Sequence, residues 1–377
     1  MAHIRRHPKT GRWQVRYLDP WRKERSKTFV RKVDAEVFRS GVETAVSQGQ
    51  YLDPARAAIT ISELASWWLA SRVGVRPSTM ARDRSYVDNY LVPVLGRIQV
   101  GELTFDHCQK WVADLDGTGL APATVGKAHQ LLGQILEQAV RARRIAWNPA
   151  RGVELPAPTK REQRFLTVTE IEHLADCVDQ RYRALVLLGA YGGLRWGEAA
   201  ALHVEDVDFL GASMAVNRTL VEVKGKVTFG PPKTRASIRR VSLPTFLVEE
   251  LAMHLATWPA DRDGLVFTAP AGGPLRRTNF RRRIWEPAIE KAGTGPQTFH
   301  ALRHSHVALL IGQGEHPKLI ADRVGHSSPV VTMTIYAHLF PGQDAAAAGR
   351  LNDLRTRNAT DPTRTQKVVR TDGRSAS

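Results

Sequence analysis

Cysteine is nearly absent: Cys108 and Cys177 are the only two in 377 residues, and they stand far apart. That excludes a disulfide framework and fits a reducing compartment. Long apolar runs are missing too. None approaches the ~20 residues of a membrane span. The opening stretch MAHIRRHPKTGRW has no apolar segment of the kind a signal peptide carries, so none is expected. No Gly-x-x-x-x-Gly-Lys phosphate loop occurs. Acidic residues are in deficit: 37 Asp plus Glu face 54 Lys plus Arg, a formal charge of +17. The excess of positive charge suits a polyanion, with nucleic acid ahead of an anionic membrane. Apolar residues make up 42% of the chain, enough for real cores, and the length predicts two or three domains. There are no repeats.

The first 55 residues read as a small basic module. Apolar and polar residues alternate from Arg12 to Tyr17, as in a half-buried strand. A second strand is expected over Arg25 to Val30, then a helix capped by Asp34 with Val37, Phe38, Val42 and Val46 on its apolar side. The result is a three-stranded sheet on one helix. Its polar face, with Arg12, Gln14 and Arg16, either enters a DNA groove or is simply solvated. Residues 51–59 read as a linker. Residues 60–147 read as a helical bundle: Ile61 to Arg72, a helix opened by Pro77-Ser78, one capped by Thr104, and Thr124 to Arg144. Residues 148–163, NPARGVELPAPTKREQ, are Pro-rich, basic and aperiodic, and read as an interdomain linker.

A different composition begins at Arg164. Thr167-x-x-Glu170 is a capping box, and a second helix is expected from Tyr182 to Tyr191. Gly192-Gly193-Leu194-Arg195-Trp196-Gly197-Glu198 follows, with Arg195 near the start of the next helix and Glu198 placed to orient a cation. Strands are expected over Met214 to Val223 and Ile238 to Leu243, with Pro231-Pro232-Lys233-Thr234 between them. Thr245 to Trp258 reads as a helix. Arg276 to Glu290 is amphipathic and basic; Arg281, Arg282 and Arg283 are either phosphate contacts or a solvated face. A short Ala-rich helix is expected from Asp344 to Leu354, and residues 356–377 read as a disordered tail.

The stretch from Thr298 to His338 concentrates chemistry. It holds His300-Ala301-Leu302-Arg303, then Gly325-His326, then Tyr336, with apolar residues at helical spacing between them. Pro317 suits a first helical turn and Gly325 a stop. Ser327 or Ser328 would cap the next helix, with Pro329 at its start and Tyr336 on it. A Tyr hydroxyl, with an ordinary pKa of ~10, is a poor nucleophile at pH 7. Cations and a base beside it would activate it, and two His and an Arg can supply both. His300 and His304 also have metal-ligand spacing, but a zinc protease helix needs Glu after its first His, and position 301 is Ala. No metal or cofactor is expected.

These residues resemble the tyrosine recombinase (phage integrase) family: His-x-x-Arg, a later Gly-His, then Tyr about ten residues on, with Gly-Leu-Arg-x-Gly-Glu as the other half of the pattern. The first 55 residues resemble its arm-binding domain, 60–147 its core-binding domain, and 164–355 its catalytic domain. The fold class so implied is multi-domain and mainly α with small β-sheets, ending in a mixed α+β catalytic domain. The catalytic residues the resemblance implies are Arg195, Lys233, His300, Arg303, His326 and Tyr336. Arg235, Arg239 and Arg240 lie close enough to Lys233 to compete for its place.

The reaction implied is DNA transesterification through a 3′-phosphotyrosyl link, integrating or excising a mobile element without ATP. Arg195 and Arg303 would hold the phosphate oxygens, His326 would donate to them, and His300 would take the Tyr proton or hold the phosphate. Lys233 would protonate the leaving oxygen. The partners implied are double-stranded attachment-site DNA and three further copies of the chain. A host DNA-bending protein and an excisionase are candidates, and no membrane is. The working place would be bacterial cytoplasm, on DNA. Two other readings stay open: a type IB topoisomerase and a non-catalytic DNA-binding regulator.

Overall fold

The computed structural model describes residues 2–8, 10–49, 51–158, 164–232, 234–340 and 343–360. The chain divides into two compact units, Met1–Glu162 and Gln163–Ser377.

The first unit opens with three antiparallel strands in the order β1 (His3–Arg6), β2 (Trp13–Leu18) and β3 (Glu24–Phe29). Val15 and Tyr17 of β2 are buried against α1 (Lys32–Ser47), through its Ala35 and Val42. Alternation along β2 puts Gln14 and Arg16 on the other face, as the period of two requires. Asp34 does not cap α1. The cap position is Arg31, and Asp34 sits in the first turn, bonded to the Arg31 guanidinium.

The segment expected as a linker after this module is instead part of it. Tyr51 is buried beside Tyr17, hydroxyl to hydroxyl at 3.1 Å. Asp53 caps the short α2 (Pro54–Ala57) and pairs with Arg25.

The bundle follows. Thr60 and Glu63 form a capping box on α3 (Ile61–Ser71). Pro77 starts α4 (Pro77–Tyr86), which runs through a π-turn, Val87–Leu91, into α5 (Val92–Leu95). Thr104 caps α6 (Phe105–Gly117), and α7 (Pro122–Arg141) closes the set. Leu132, Ile135, Leu136 and Ala139 of α7 have no exposed surface. Each such Leu or Ile contributes about 1.5–3 kcal/mol by leaving water.

The Pro-rich stretch that follows is not free from its start. Asn148, Ala150 and Val153 are buried. Asn148 donates to the Gly133 carbonyl at 3.0 Å, and the Gln109 side chain accepts from the Glu154 amide at 2.9 Å. The anchorage ends near residue 154.

The second unit is built round α9 (Arg183–Tyr191), which follows α8 (Val168–Cys177) and is buried on all sides from Ala184 to Ala190. Such a helix has no polar stripe because it has no solvent face. After it come α10 (Trp196–Ala199) and strands β4 (Val207–Asp208), β5 (Ser213–Val216), β6 (Thr219–Val223), β7 (Lys226–Gly230) and β8 (Arg239–Ser242). The single strand expected over Met214 to Val223 is two. β5 pairs with β4 and β8, whereas β6 pairs with β7. Asn217, at the break, donates to Asp206 at 2.8 Å.

Then come α11 (Thr245–Thr257), α12 (Arg277–Phe280), a π-turn at Arg281–Trp285, and α13 (Glu286–Ala292). The α-helices that follow are α14 (Phe299–Gly312), α15 (Pro317–Val324), α16 (Pro329–Tyr336) and α17 (Gln343–Thr360). The start of the expected tail, through Thr360, is therefore helical; residues 361–377 lie outside the described residues. No helix among the described residues is long and apolar enough to cross a membrane.

Candidate active site

Three elements supply the site: the turn after α9, the helix α14, and the turn and helix after α15. The first turn is clamped from outside. His306 of α14 donates from Nδ1 to the Ala190 carbonyl at 2.9 Å, and its Nε2 accepts from Arg323 at 3.1 Å. Arg323 also reaches the Tyr191 carbonyl. Two side chains from distant sequence thus take up the last carbonyls of α9, which have no helical partner. Gly193 lies against the His306 ring with φ near 67°; a Cβ there would fall 2.6 Å from the ring. Glycine is required on both counts.

Arg195 follows at the start of α10. Its backbone amide donates to Glu198 at 3.0 Å, and its guanidinium donates to the same carboxylate at 2.7 Å and to the Gly325 carbonyl at 3.1 Å. Glu198 is buried and also takes Arg239 at 3.1 Å. Burial would raise its pKa, but Arg239 and Arg195 outweigh it and hold it below the usual carboxylate range. The carboxylate therefore fixes two guanidinium groups at once.

On α14, His300, Arg303 and His304 share one face through i+3 and i+4 spacing. Arg303 is 2% exposed. Its Nη1 donates to the Gly193 carbonyl at 2.7 Å, while Nη2 is buried without a hydrogen-bond partner among the described residues. Burial, then repulsion from Arg195, lowers its pKa to about 9, so it remains a cation at neutral pH. His300 stands edge-on to His304, with ring centroids 4.6 Å apart. Its pKa lies below the ordinary imidazole value, from desolvation and then from His304 and Arg303.

Gly325 ends α15 in the left-handed conformation, with φ 68°. The turn brings His326 round, and its Nδ1 bonds the buried Thr332 hydroxyl at 2.8 Å. Desolvation and then Arg303 push His326 down to about 4. Ser328, not Ser327, caps α16. Tyr336 ends that helix in a small apolar cluster with Val307, Ile311, Ile320 and Val324. It is 1% exposed, and burial raises its pKa to about 12.

The structure thus brings together Arg195, His300, Arg303, His326 and Tyr336. Lys233 lies outside the described residues; its neighbour Thr234 bonds Ser237 at 3.0 Å. The Tyr336 hydroxyl bonds neither His300 nor His326. Its partner is Nδ1 of His304, at 2.5 Å. The sequence flagged His304 only as half of a metal-like His pair. Glu198, three residues after Arg195, holds that cation as its spacing in the sequence suggests; Arg239, which shares Glu198, and Thr332, which bonds His326, carry no such signal.

The sequence-predicted DNA contacts divide between the two units. Arg16 pairs with Glu24 at 2.8 Å, and Gln14 accepts from Arg5 at 3.0 Å. Arg12, Arg282 and Arg283 are exposed, and Arg281 pairs with Glu286.

A model of the Phage integrase family matches residues 164–342, and one of the phage integrase N-terminal SAM-like domain matches 60–115. The chain belongs to the phage integrase family of tyrosine recombinases. The integrase of Mycobacterium phage D29 is 28% identical over 370 residues, covering 93% of this chain and 96% of the relative. The Tn1549 transposon integrase, solved in complex with a circular intermediate DNA, matches with TM-score 0.67 at 19% identity, over 78% of this chain and 99% of that one. A lambda integrase tetramer bound to a Holliday junction matches with TM-score 0.56 at 18% identity, over 87% of this chain and 96% of that one. The two structures speak for the fold. The family gives the activity class: this integrase is a tyrosine-type site-specific recombinase.

Proposed function

We propose that Tyr336 is the nucleophile of this recombinase and that the pocket around it binds one backbone phosphate of duplex DNA. The observation that carries the reading is the buried Arg303 guanidinium with an unpartnered Nη2. A buried donor left unmade costs about 1–3 kcal/mol, more when charged, so such a group marks a place for an acceptor. A phosphate oxygen is the acceptor that also balances its charge.

In this reading Arg303 and Arg195 hold the non-bridging oxygens. Thr332 donates to Nδ1 of His326, which leaves the ring proton on Nε2 for the phosphate. His300 borders the phosphate from the rim. The Tyr336 oxygen attacks in line; its bond to phosphorus forms as the bond to the 5′-oxygen breaks. The leaving oxygen takes the electron pair and a proton from Lys233. Later a 5′-hydroxyl from a partner strand attacks the phosphotyrosine, which has kept the bond energy. Charge on the phosphoryl oxygens is met by fixed cations in a water-poor site, where they act most strongly.

Exchange between two duplexes needs four such sites, so the working unit is four copies on DNA. Leu351 and Leu354, exposed on α17, are suited to docking on a neighbouring copy. The module of residues 1–55 would bind separate DNA sites, and a host DNA-bending protein and an excisionase would shape the complex. The work is done on DNA in a bacterial cytoplasm.

A nicked suicide substrate, whose short 5′ fragment diffuses away, tests the nucleophile. The wild-type protein should form a covalent band that protease removes. Tyr336→Phe keeps the ring and loses only the oxygen, so it should bind DNA and form no band. A band from Tyr336→Phe sinks the assignment.

A further inference from the structure

We infer that His304 is the proton acceptor for Tyr336 during DNA cleavage, an inference that rests on Tyr336 being the nucleophile. The hydroxyl of a nearly inaccessible Tyr336 makes one hydrogen bond among the described residues, and it goes to Nδ1 of His304. A nucleophile and its base are recognised by that contact first. His300 lies one helical turn earlier and meets His304 edge-on, so it fixes the plane of the His304 ring without reaching the hydroxyl. Phe165 packs on Tyr336 with ring centroids 6.0 Å apart and helps to hold the phenol where the imidazole meets it.

The protonation states agree with the geometry. With its pKa near 12, Tyr336 is ionised in roughly one molecule in 10⁵ at pH 7, so attack needs a base in the transition state. Desolvation, then Arg303, hold His304 below the ordinary imidazole value, so its lone pair is free at neutral pH. Among the described residues, the titratable and charged groups facing it are His300 and Arg303 on its own helix, Tyr336 on α16, and His326 from the turn before α16. None is a carboxylate. An incoming phosphodiester supplies the missing negative charge and makes an imidazolium tolerable there. Proton transfer thus becomes favourable only when DNA is in place.

The step balances. As the oxygen of Tyr336 bonds to phosphorus, its O–H bond breaks and the proton passes to Nδ1 of His304. When a 5′-hydroxyl later attacks the phosphotyrosine, its own proton passes to Lys233, which gave one up in the first step, and the imidazolium returns its proton to the departing phenolate oxygen.

Single-turnover cleavage of the suicide substrate by the full chain tests this, from about pH 5.5 to about pH 9, with and without added imidazole. His304→Ala and His304→Gln should bind core-site DNA as the wild type does and cleave it ~10²–10⁴-fold more slowly. The wild-type rate should fall in acid as His304 takes a proton. The variants should lose that limb and become proportional to hydroxide. Imidazole should accelerate His304→Ala.

A His304→Gln rate within a few-fold of wild type would mean that His304 only positions the phenol, and the inference would fail. A His304→Ala rate above wild type would make it a latch instead. A slow His304→Ala with an unchanged pH profile and no imidazole rescue also overturns the inference. Tyr336→Phe, run alongside, separates the two claims: a surviving band defeats the nucleophile assignment itself, whereas normal His304 variants beside an inactive Tyr336→Phe defeat only the base.

Discussion

Two regions of this chain are rich in cations, and they use them in opposite ways. On the N-terminal sheet, Arg16 meets Glu24 across the strand pair, and both side chains remain substantially in water. In the pocket beside Tyr336, Arg303 is taken out of water, given the Gly193 carbonyl, and left with a donor unpartnered among the described residues. Arg195 stands beside it, held by a buried carboxylate that Arg239 also shares. The sheet pair exchanges one weak interaction in water for another of similar size. The pocket concentrates positive charge where little water screens it. A count of Lys and Arg sees no difference between the two. Burial and an unmade hydrogen bond tell them apart.

The comparison can be broken most readily at Arg303. Arg303→Ala should slow single-turnover cleavage by about 10³-fold or more, as removal of a buried phosphate-holding cation does elsewhere. DNA affinity, spread over many contacts, should change far less. A loss confined to binding, with cleavage at saturating DNA unchanged, would place Arg303 among ordinary backbone contacts and erase the contrast.

Acid gives a second, intermediate test. Unfolded, His306 titrates near ~6.5. Folded, burial and then Arg323 push it down to about 3. Between those values the unfolded chain binds the extra proton, so acid favours unfolding. The stability tied to this residue is intact above about pH 6.5 and is lost as pH falls toward 3, at no more than about 1.4 kcal/mol per pH unit. The difference in unfolding free energy between wild type and His306→Gln should therefore shrink between about pH 7 and about pH 4.5. Parallel curves would show that His306 is not held neutral.

The smallest effect belongs to the sheet. Arg16→Ala should change the unfolding free energy by no more than about 1 kcal/mol, the usual worth of an exposed ion pair. A loss of several kcal/mol, measured by denaturant unfolding, would mean that the sheet depends on its cations as the pocket does.

What the sequence shows and hides follows the range of the interactions. Helix starts at Thr104 and Thr167 rest on a side chain reaching an amide three residues on, and both were legible. So was the turn at Gly325, and so were the chemistry-bearing residues of α14. Hidden were the contacts that close over long distances. Tyr51 looks like linker until Tyr17 is brought beside it. Asn148 and Val153 look like linker until the bundle closes over them. The Met214–Val223 run breaks at Asn217 because Asp206 is there to receive it. The choice between His300 and His304 as the partner of Tyr336 turns on where α16 ends against α14, which no local pattern encodes.

The free donor on Arg303 also bears on how the protein melts. A folded domain that carries an unmade hydrogen bond on a buried cation sits below the stability its packing would allow, and whatever completes that bond stabilises the native state by mass action. Occupancy of the pocket is therefore written into the unfolding temperature. A short duplex with an intact phosphate at the cleavage position should protect the domain against heat more than the same duplex with a neutral methylphosphonate there. The excess protection reports on one oxygen atom, without any bond being cut.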